Sequence, residues 1–170
     1  MAPATPKLPD IAYILNLDHL DALCRVRDNA VIYYSKFNQD DPRHAHGRRA
    51  WEMAFNRLCQ LMADQFDPQS DAERDCMVAL AAYEQVLEAK HGRKVKATYI
   101  RRSLLKNGVI EAISSSVLKG GNTSGFNTLL VMGKSSFSFE QVVLKYPDIF
   151  EHEVVSAAQN TLKKVESTQK

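Results

Sequence analysis

The 170-residue chain contains no run approaching the ~18 consecutive apolar residues that a membrane span requires. No basic stretch followed by an apolar one opens it, so no signal peptide is read there. Cysteine is scarce, with three residues at positions 24, 59 and 76. An odd number cannot close a full disulfide set within one chain, and no C-x-x-C pair is present from which common zinc or thiol-redox motifs are built. Each cysteine falls on the apolar side of an expected helix, where a free thiol packs as a small hydrophobe. These absences fit a reducing compartment, and the expected location is the cytoplasm. No glycine-rich repeat, disordered composition or disulfide scaffold is visible; 45% hydrophobic and 25% charged residues are ordinary for a folded protein. A chain of this length is one domain's worth of sequence and can bury about 70% of its unfolded surface.

What is present is an uneven distribution of charge. The net charge of +2 conceals it. Residues 1–89 carry 9 Lys/Arg against 14 Asp/Glu. Residues 90–120 carry Lys90, Arg93, Lys94, Lys96, Arg101, Arg102, Lys106 and Lys119 against Glu111 alone. A block of one sign bears on partners rather than on fold.

Hydrophobic periodicity is helical throughout. Residues 1–10 hold Pro3, Pro6 and Pro9 and read as a flexible lead-in. From Ile11, the residues Leu17, Leu20, Leu23, Cys24, Val31 and Tyr34 recur at three- and four-residue steps, which predicts one long helix with Asn16 or Asp18 as a candidate cap. Asp41-Pro42 supplies an N-cap and a first helical residue for a second helix. Its stripe is Trp51, Phe55, Leu58, Cys59, Met62 and Phe66, with Trp51, Phe55, Leu58 and Met62 expected to be buried together. Ser70-Asp71-Ala72-Glu73 has the form of a capping box and opens a third helix, which Gly92 ends.

The second half is cut more finely. Short helices are expected from Ala97 to Lys106, from Val109 to the glycines at 120 and 121, from about Gly125 to Met132, from Ser138 to Tyr146, and from Glu151 to about Val165. Val142-Val143-Leu144 has the length of a short strand but no second strand to pair with, so a helix is expected there too. The fold class is therefore all-α: an N-terminal bundle of three long helices over residues 11–92, then about five short helices over residues 93–166, with 167–170 as a tail.

Most motif fragments fail on context. Gly120 and Gly125 have P-loop spacing, but Phe126 and Asn127 stand where Lys and Ser/Thr are needed. Gly133-Lys134-Ser135 follows an apolar tetrapeptide that cannot curl around phosphate. Glu88-Ala89-Lys90 matches the E-x-K half of a metal-dependent nuclease motif, a chemistry that needs a strand, whereas this tripeptide ends a helix. Asp40, Asp41, His44 and His46 bring imidazole and carboxylate together, the donor set of a divalent metal. Histidines two apart do not share a helix face, however, and no third histidine lies nearby. No nucleophile with a base and an orienting group is found, so the reading leans away from an enzyme, with no cofactor.

The basic block is the remaining signal. Lys94, Arg101, Arg102 and Lys106 fall on one arc of a short helix, opposite Ala97, Ile100 and Leu104. Asn107-Gly108 and a second short helix follow, the gross shape of a helix-turn-helix. The glycine-rich segment 120–125 could add backbone and hydroxyl contacts to phosphate. The expected function is non-catalytic binding of nucleic acid through residues 90–125, with Arg93, Lys94, Lys96, Arg101, Arg102, Lys106 and Lys119 as contact residues. The rival reading is a protein-interaction or assembly module whose basic segment meets an acidic surface, including that of another copy of this chain. No membrane role is expected.

Overall fold

The computed structural model describes residues 5–120 and 124–168. The fold is all-α. In chain order the helices are α1 (Ile11–Leu15), α2 (Leu20–Tyr34), α3 (Pro42–Asp64), α4 (Asp71–His91), α5 (Thr98–Asn107), α6 (Val109–Leu118), α7 (Ser124–Val131), α8 (Phe139–Lys145) and α9 (His152–Thr168). A single 3-10 turn, Ser135–Phe137, precedes α8, and the described residues include no strand. None of these helices is long and apolar enough to cross a membrane. Two compact units are distinguished, residues 1–62 and 63–170, with the division inside α3.

In the first unit the expected single helix from Ile11 is two. Asp10 caps α1 by accepting the Ala12 N–H at 2.7 Å. The Asn16 side chain then donates to the Ala12 carbonyl at 2.8 Å and closes the short helix. Leu17 is buried in the connection rather than on a helix, so it keeps the apolar period without continuing the coil. The stripe that α2 buries is Leu23, Val26, Arg27 and Ala30, the i, i+3, i+4, i+7 pattern; Val31 lies beside it and is exposed. The core joins Ile14, Leu17, Leu23, Val26 and Ala30 to Ala50, Ala54 and Leu58 of α3. Phe55 is fully buried and stacks on Trp51, their ring centroids 5.3 Å apart, while Trp51 and Met62 are only half-buried.

Gly47 sets how closely α2 and α3 approach. A methyl group there would stand 2.7 Å from Cβ of Tyr34 and 2.9 Å from the Tyr33 ring. Cβ is the root of a side chain and cannot swing aside, so only hydrogen fits at this position.

The second unit is organised around α4. Its start follows from the sequence: Ser70 Oγ accepts the Glu73 N–H at 3.2 Å. The Glu73 carboxylate accepts the Gln69 N–H at 2.8 Å, one residue earlier than in the usual reciprocal box. Gly92 ends the helix in the left-handed conformation at φ 65°, donating to the Glu88 carbonyl. Between these caps the buried residues, Ala79 to Ala82 among them, fall on nearly every side of α4, the mark of a central helix. Small alanines let α6, α7 and α8 pack against it. Cys76, Met77, Leu80, Ile113, Val117, Val143, Phe150 and Val154 are prominent in this core. Lys145 and Tyr146 both bind Asp75, at 2.5 and 2.8 Å, and tie the end of α8 to α4. Ser138 caps α8 as expected by accepting the Gln141 N–H at 3.3 Å.

The three cysteines form no disulfide among the described residues, with Cys59 and Cys76 buried and Cys24 half-buried. Burial, together with the charges of Asp75 and Glu73, pushes the Cys76 thiol up to about 12, so it stays protonated and packs as a small apolar group.

Candidate nucleic-acid interface

The basic block begins in the last turn of α4, continues through the connection 92–97 and runs along α5. Its cations meet three different fates. Arg101 and Lys96 converge on Glu84, a residue of α4 that is only 3% exposed. The Arg101 guanidinium binds the carboxylate bidentately, Nε to Oε1 at 2.6 Å and Nη2 to Oε2 at 2.7 Å. Lys96 Nζ lies 3.3 Å from Oε2, and the Ala97 N–H donates to Oε1 at 2.9 Å. Burial on its own would raise the Glu84 pKa. The hydrogen bonds from Arg101 and Ala97 and the charges of Arg101 and Lys96 outweigh it and hold the carboxyl below its usual range. The reverse face of this pairing is a guanidinium carbon 5.1 Å from the centre of the Phe66 ring. Phe66 lies beyond the end of α3 and is partly exposed, so it is not the last residue of that helix's buried stripe.

Lys119 has the second fate. Its ammonium sits 3.7 Å from the centre of the Tyr99 ring and hydrogen-bonds the Tyr99 hydroxyl. The third group is Arg93, Lys94, Arg102 and Lys106. All four are exposed, and among the described residues no carboxylate pairs with them. Tyr99, 66% exposed, and Leu105, 91% exposed, share α5 with Arg102 and Lys106. The predicted residues are therefore near in sequence but unequal in availability: four are open, two are used to dock α5 on α4, and one covers a tyrosine face.

Gly108, at φ 83°, caps α5 and begins α6, so the helix–glycine–helix shape is realised. However, α6 buries Ala112, Ile113, Ser114 and Val117. A DNA-reading helix-turn-helix presents polar side chains from its second helix to a groove, and α6 is a core helix instead. Residues 121–123 of the glycine-rich segment lie outside the described residues.

The Asp40–His46 cluster is turned to other uses. Asp41 caps α3 through the Arg43 N–H at 2.8 Å and grips the Arg43 guanidinium at 2.7 and 3.0 Å. These bonds hold the Asp41 carboxyl below its ordinary value. His44 packs edge-on against Tyr34 and His46 against Tyr33. Among the described residues no group of three or more His, Cys, Asp or Glu is placed to hold a metal ion.

Sequence reasoning missed a cleft of about 290 Å³ in the second unit, beside the basic block. Its outer lining includes Lys96, Tyr99 and Lys119, all exposed; its inner lining includes buried Phe126, Leu129, Ser138 and Glu140. Gly125 belongs to the wall, where a methyl group would lie 3.0 Å from the Tyr83 ring. Glu140 is 5% exposed, and burial pushes its carboxyl above the ordinary value, although the Ser138 hydroxyl and its own backbone N–H hold it partly in check. The lining comes from α4, α5, α6, α7 and α8 and the segments joining them, so no local pattern marks it. No known protein family, curated protein or solved structure matches the chain.

Proposed function

We propose that this protein binds nucleic acid without catalysing a reaction on it, and that residues 90–106 of the second unit provide the phosphate contacts. One observation carries the reading. After the pairs within the fold are set aside, Arg93, Lys94, Arg102 and Lys106 are left as exposed cations within a short segment, with no acidic partner among the described residues. Phosphate is the anion that arrives in a regularly spaced series, and its neutralisation by Lys and Arg supplies most non-specific affinity. The core position of α6 favours backbone contact over reading of base edges in a major groove. A cytoplasmic location belongs to the same proposal and agrees with three cysteines that form no disulfide among the described residues.

Salt dependence tests it. Four phosphate contacts should lose roughly two log units of affinity for duplex DNA between 50 and 200 mM salt. Replacing Arg102 and Lys106 together by Ala should flatten the slope of log K against log salt by about two while leaving the melting temperature unchanged. Arg101 is unsuitable for this purpose, because its removal would also undock α5. If no nucleic acid binds at low salt and the chain sediments as an oligomer that the Arg102/Lys106 variant weakens, the segment is an assembly surface and this reading fails.

A further inference from the structure

From a cleft whose lining includes Tyr99, one turn of α5 before the open Arg102, we infer that it receives one unpaired base of a single-stranded nucleic acid whose phosphates track residues 93–106. The inference rests on the reading above and gives it a substrate class. Size is the first argument: about 290 Å³ is at the low end of ligand pockets and suits one ring system rather than an extended chain. Chemistry is the second. Tyr83, Phe126 and Phe137 offer aromatic walls, and a nucleobase is flat with two apolar faces. The inner lining is not wholly apolar, for Ser138 and Glu140 lie within it, and a base carries donors and acceptors around its edge. A carboxyl that retains its proton more readily than usual can donate to such an edge as well as accept from it.

Continuity is the third argument. Lys96, held by Glu84, and Lys119, held on Tyr99, line the cleft together with Tyr99 and belong to the basic block, so the solvent side of the cleft carries fixed basic groups. A neutral apolar ligand would gain nothing from them; a base attached to a phosphate chain would. Duplex bases are stacked and paired, and extracting one costs free energy that an unpaired strand does not spend. Lys119 lies over one face of the Tyr99 ring, which is otherwise 66% exposed, and we assign the other face to stacking the next base.

The experiment compares fluorescently labelled probes of about twelve nucleotides at about 50 mM salt, within the range of one single-strand site. They are an adenine strand, the same backbone with abasic residues, and a duplex. Adenosine monophosphate is added as a competitor. The adenine strand should bind about tenfold more tightly than the abasic strand, the worth of roughly one stacked base. Tyr99→Ala should reduce that advantage, and Glu140→Gln should change the ranking among base types while leaving abasic binding alone. Equal binding of adenine and abasic strands, each retaining the salt slope, overturns the base site and leaves the phosphate reading standing. A duplex that binds as tightly as the adenine strand overturns it in the same way. Monophosphate that competes as strongly as the strand shows a free-nucleotide site and overturns the strand assignment. Failure of all probes to bind overturns both readings together.

Discussion

Residues 40–52 mix three arginines and two histidines with Asp40, Asp41 and Glu52, whereas residues 90–106 hold seven Lys/Arg and one histidine with no Asp or Glu. Both hold several cations close together. Around the start of α3, Arg43 is gripped by Asp41 and lies 4.2 Å above the Phe37 ring, while Arg48 faces Tyr34, Trp51 and Glu52. His44 and His46 meet Tyr34 and Tyr33. Across residues 90–106, Lys96 and Arg101 are paired with a carboxylate, and among the described residues Arg93, Lys94, Arg102 and Lys106 are left open, with Lys90 at the end of α4 exposed as well. A count of basic residues thus overstates available charge by whatever the fold uses internally. A segment becomes a candidate surface only after that subtraction, and among the described residues the second region retains a cluster of open cations where the first retains Arg49 alone.

The largest effect is expected at the pair that makes the subtraction. Glu84→Ala removes the carboxylate on which Arg101, Lys96 and the Ala97 N–H converge. Breaking a buried pair costs about 3–5 kcal/mol, and the lower end applies because Arg101 is 28% exposed and can turn to water. Chemical denaturation should therefore show a loss of about 3 kcal/mol. A loss below about 0.5 kcal/mol, the range of ordinary surface changes, would mean that Arg101 and Lys96 are as free as Arg102, and the contrast within the basic block would vanish.

A smaller effect tests the other region. Gly47→Ala improves helix propensity by up to about 1 kcal/mol, yet places a methyl group 2.7 Å from Cβ of Tyr34. Overpacking of this kind costs about 1–3 kcal/mol, so the net change should be a loss of about 1 kcal/mol. Thermal melting should show it, and near-ultraviolet circular dichroism should report displaced Tyr33 and Tyr34. Should the variant melt above the parent, the close approach that brings His44, His46 and Arg48 against those rings is not a constraint on the unit.

Much of the fold was legible because its boundaries are local. Asp41-Pro42, Ser70 with Glu73, Gly92, Gly108 and Ser138 each act on backbone groups within four residues, and each sits at the helix end its chemistry specifies. The break at residues 16–19 was hidden because Leu17 is buried while off the helix, so burial and helical period agree by coincidence. The role of α4 was only half visible: its length and caps are in the sequence, but its apolar side serves the core of the second unit. The site divides in the same way. The cationic segment could be read directly, whereas the Glu84–Arg101 pair joins residues 17 apart on two helices. The cleft draws on five helices and their connections, and nothing in the order of its residues announces that they meet.

The smallest effect is expected at Glu140, and set against Glu84 it carries the comparison to its sign. Glu84 and Glu140 are both buried in the second unit, but among the described residues no Lys or Arg pairs with Glu140. The two should therefore depend on pH in opposite directions. For Glu84 the folded carboxyl lies below the ordinary value of 4.5, so the unfolded chain holds the proton more readily. Its stabilisation is present above that value and is lost as pH falls through the lower, folded one. For Glu140 the folded carboxyl lies above 4.5, because burial without a cation disfavours the charge. The folded state then binds the extra proton, and stability declines as pH rises from that value through the folded one. Replacement by the uncharged isostere separates the two cases. Glu84→Gln should destabilise at pH 7, with the penalty fading in acid as the parent's own carboxylate is protonated. Glu140→Gln should be nearly neutral in acid and stabilising at pH 7, where the unfolded parent is ionised and folding must either bury that charge or take up a proton. Denaturant melts of the parent and both variants across that range would measure this directly. A Glu140→Gln variant less stable than the parent at pH 7 would mean that a cation reaches this carboxylate. Glu140 would then be a second paired acid like Glu84, and the cleft's inner lining would hold an ion pair instead of a proton donor.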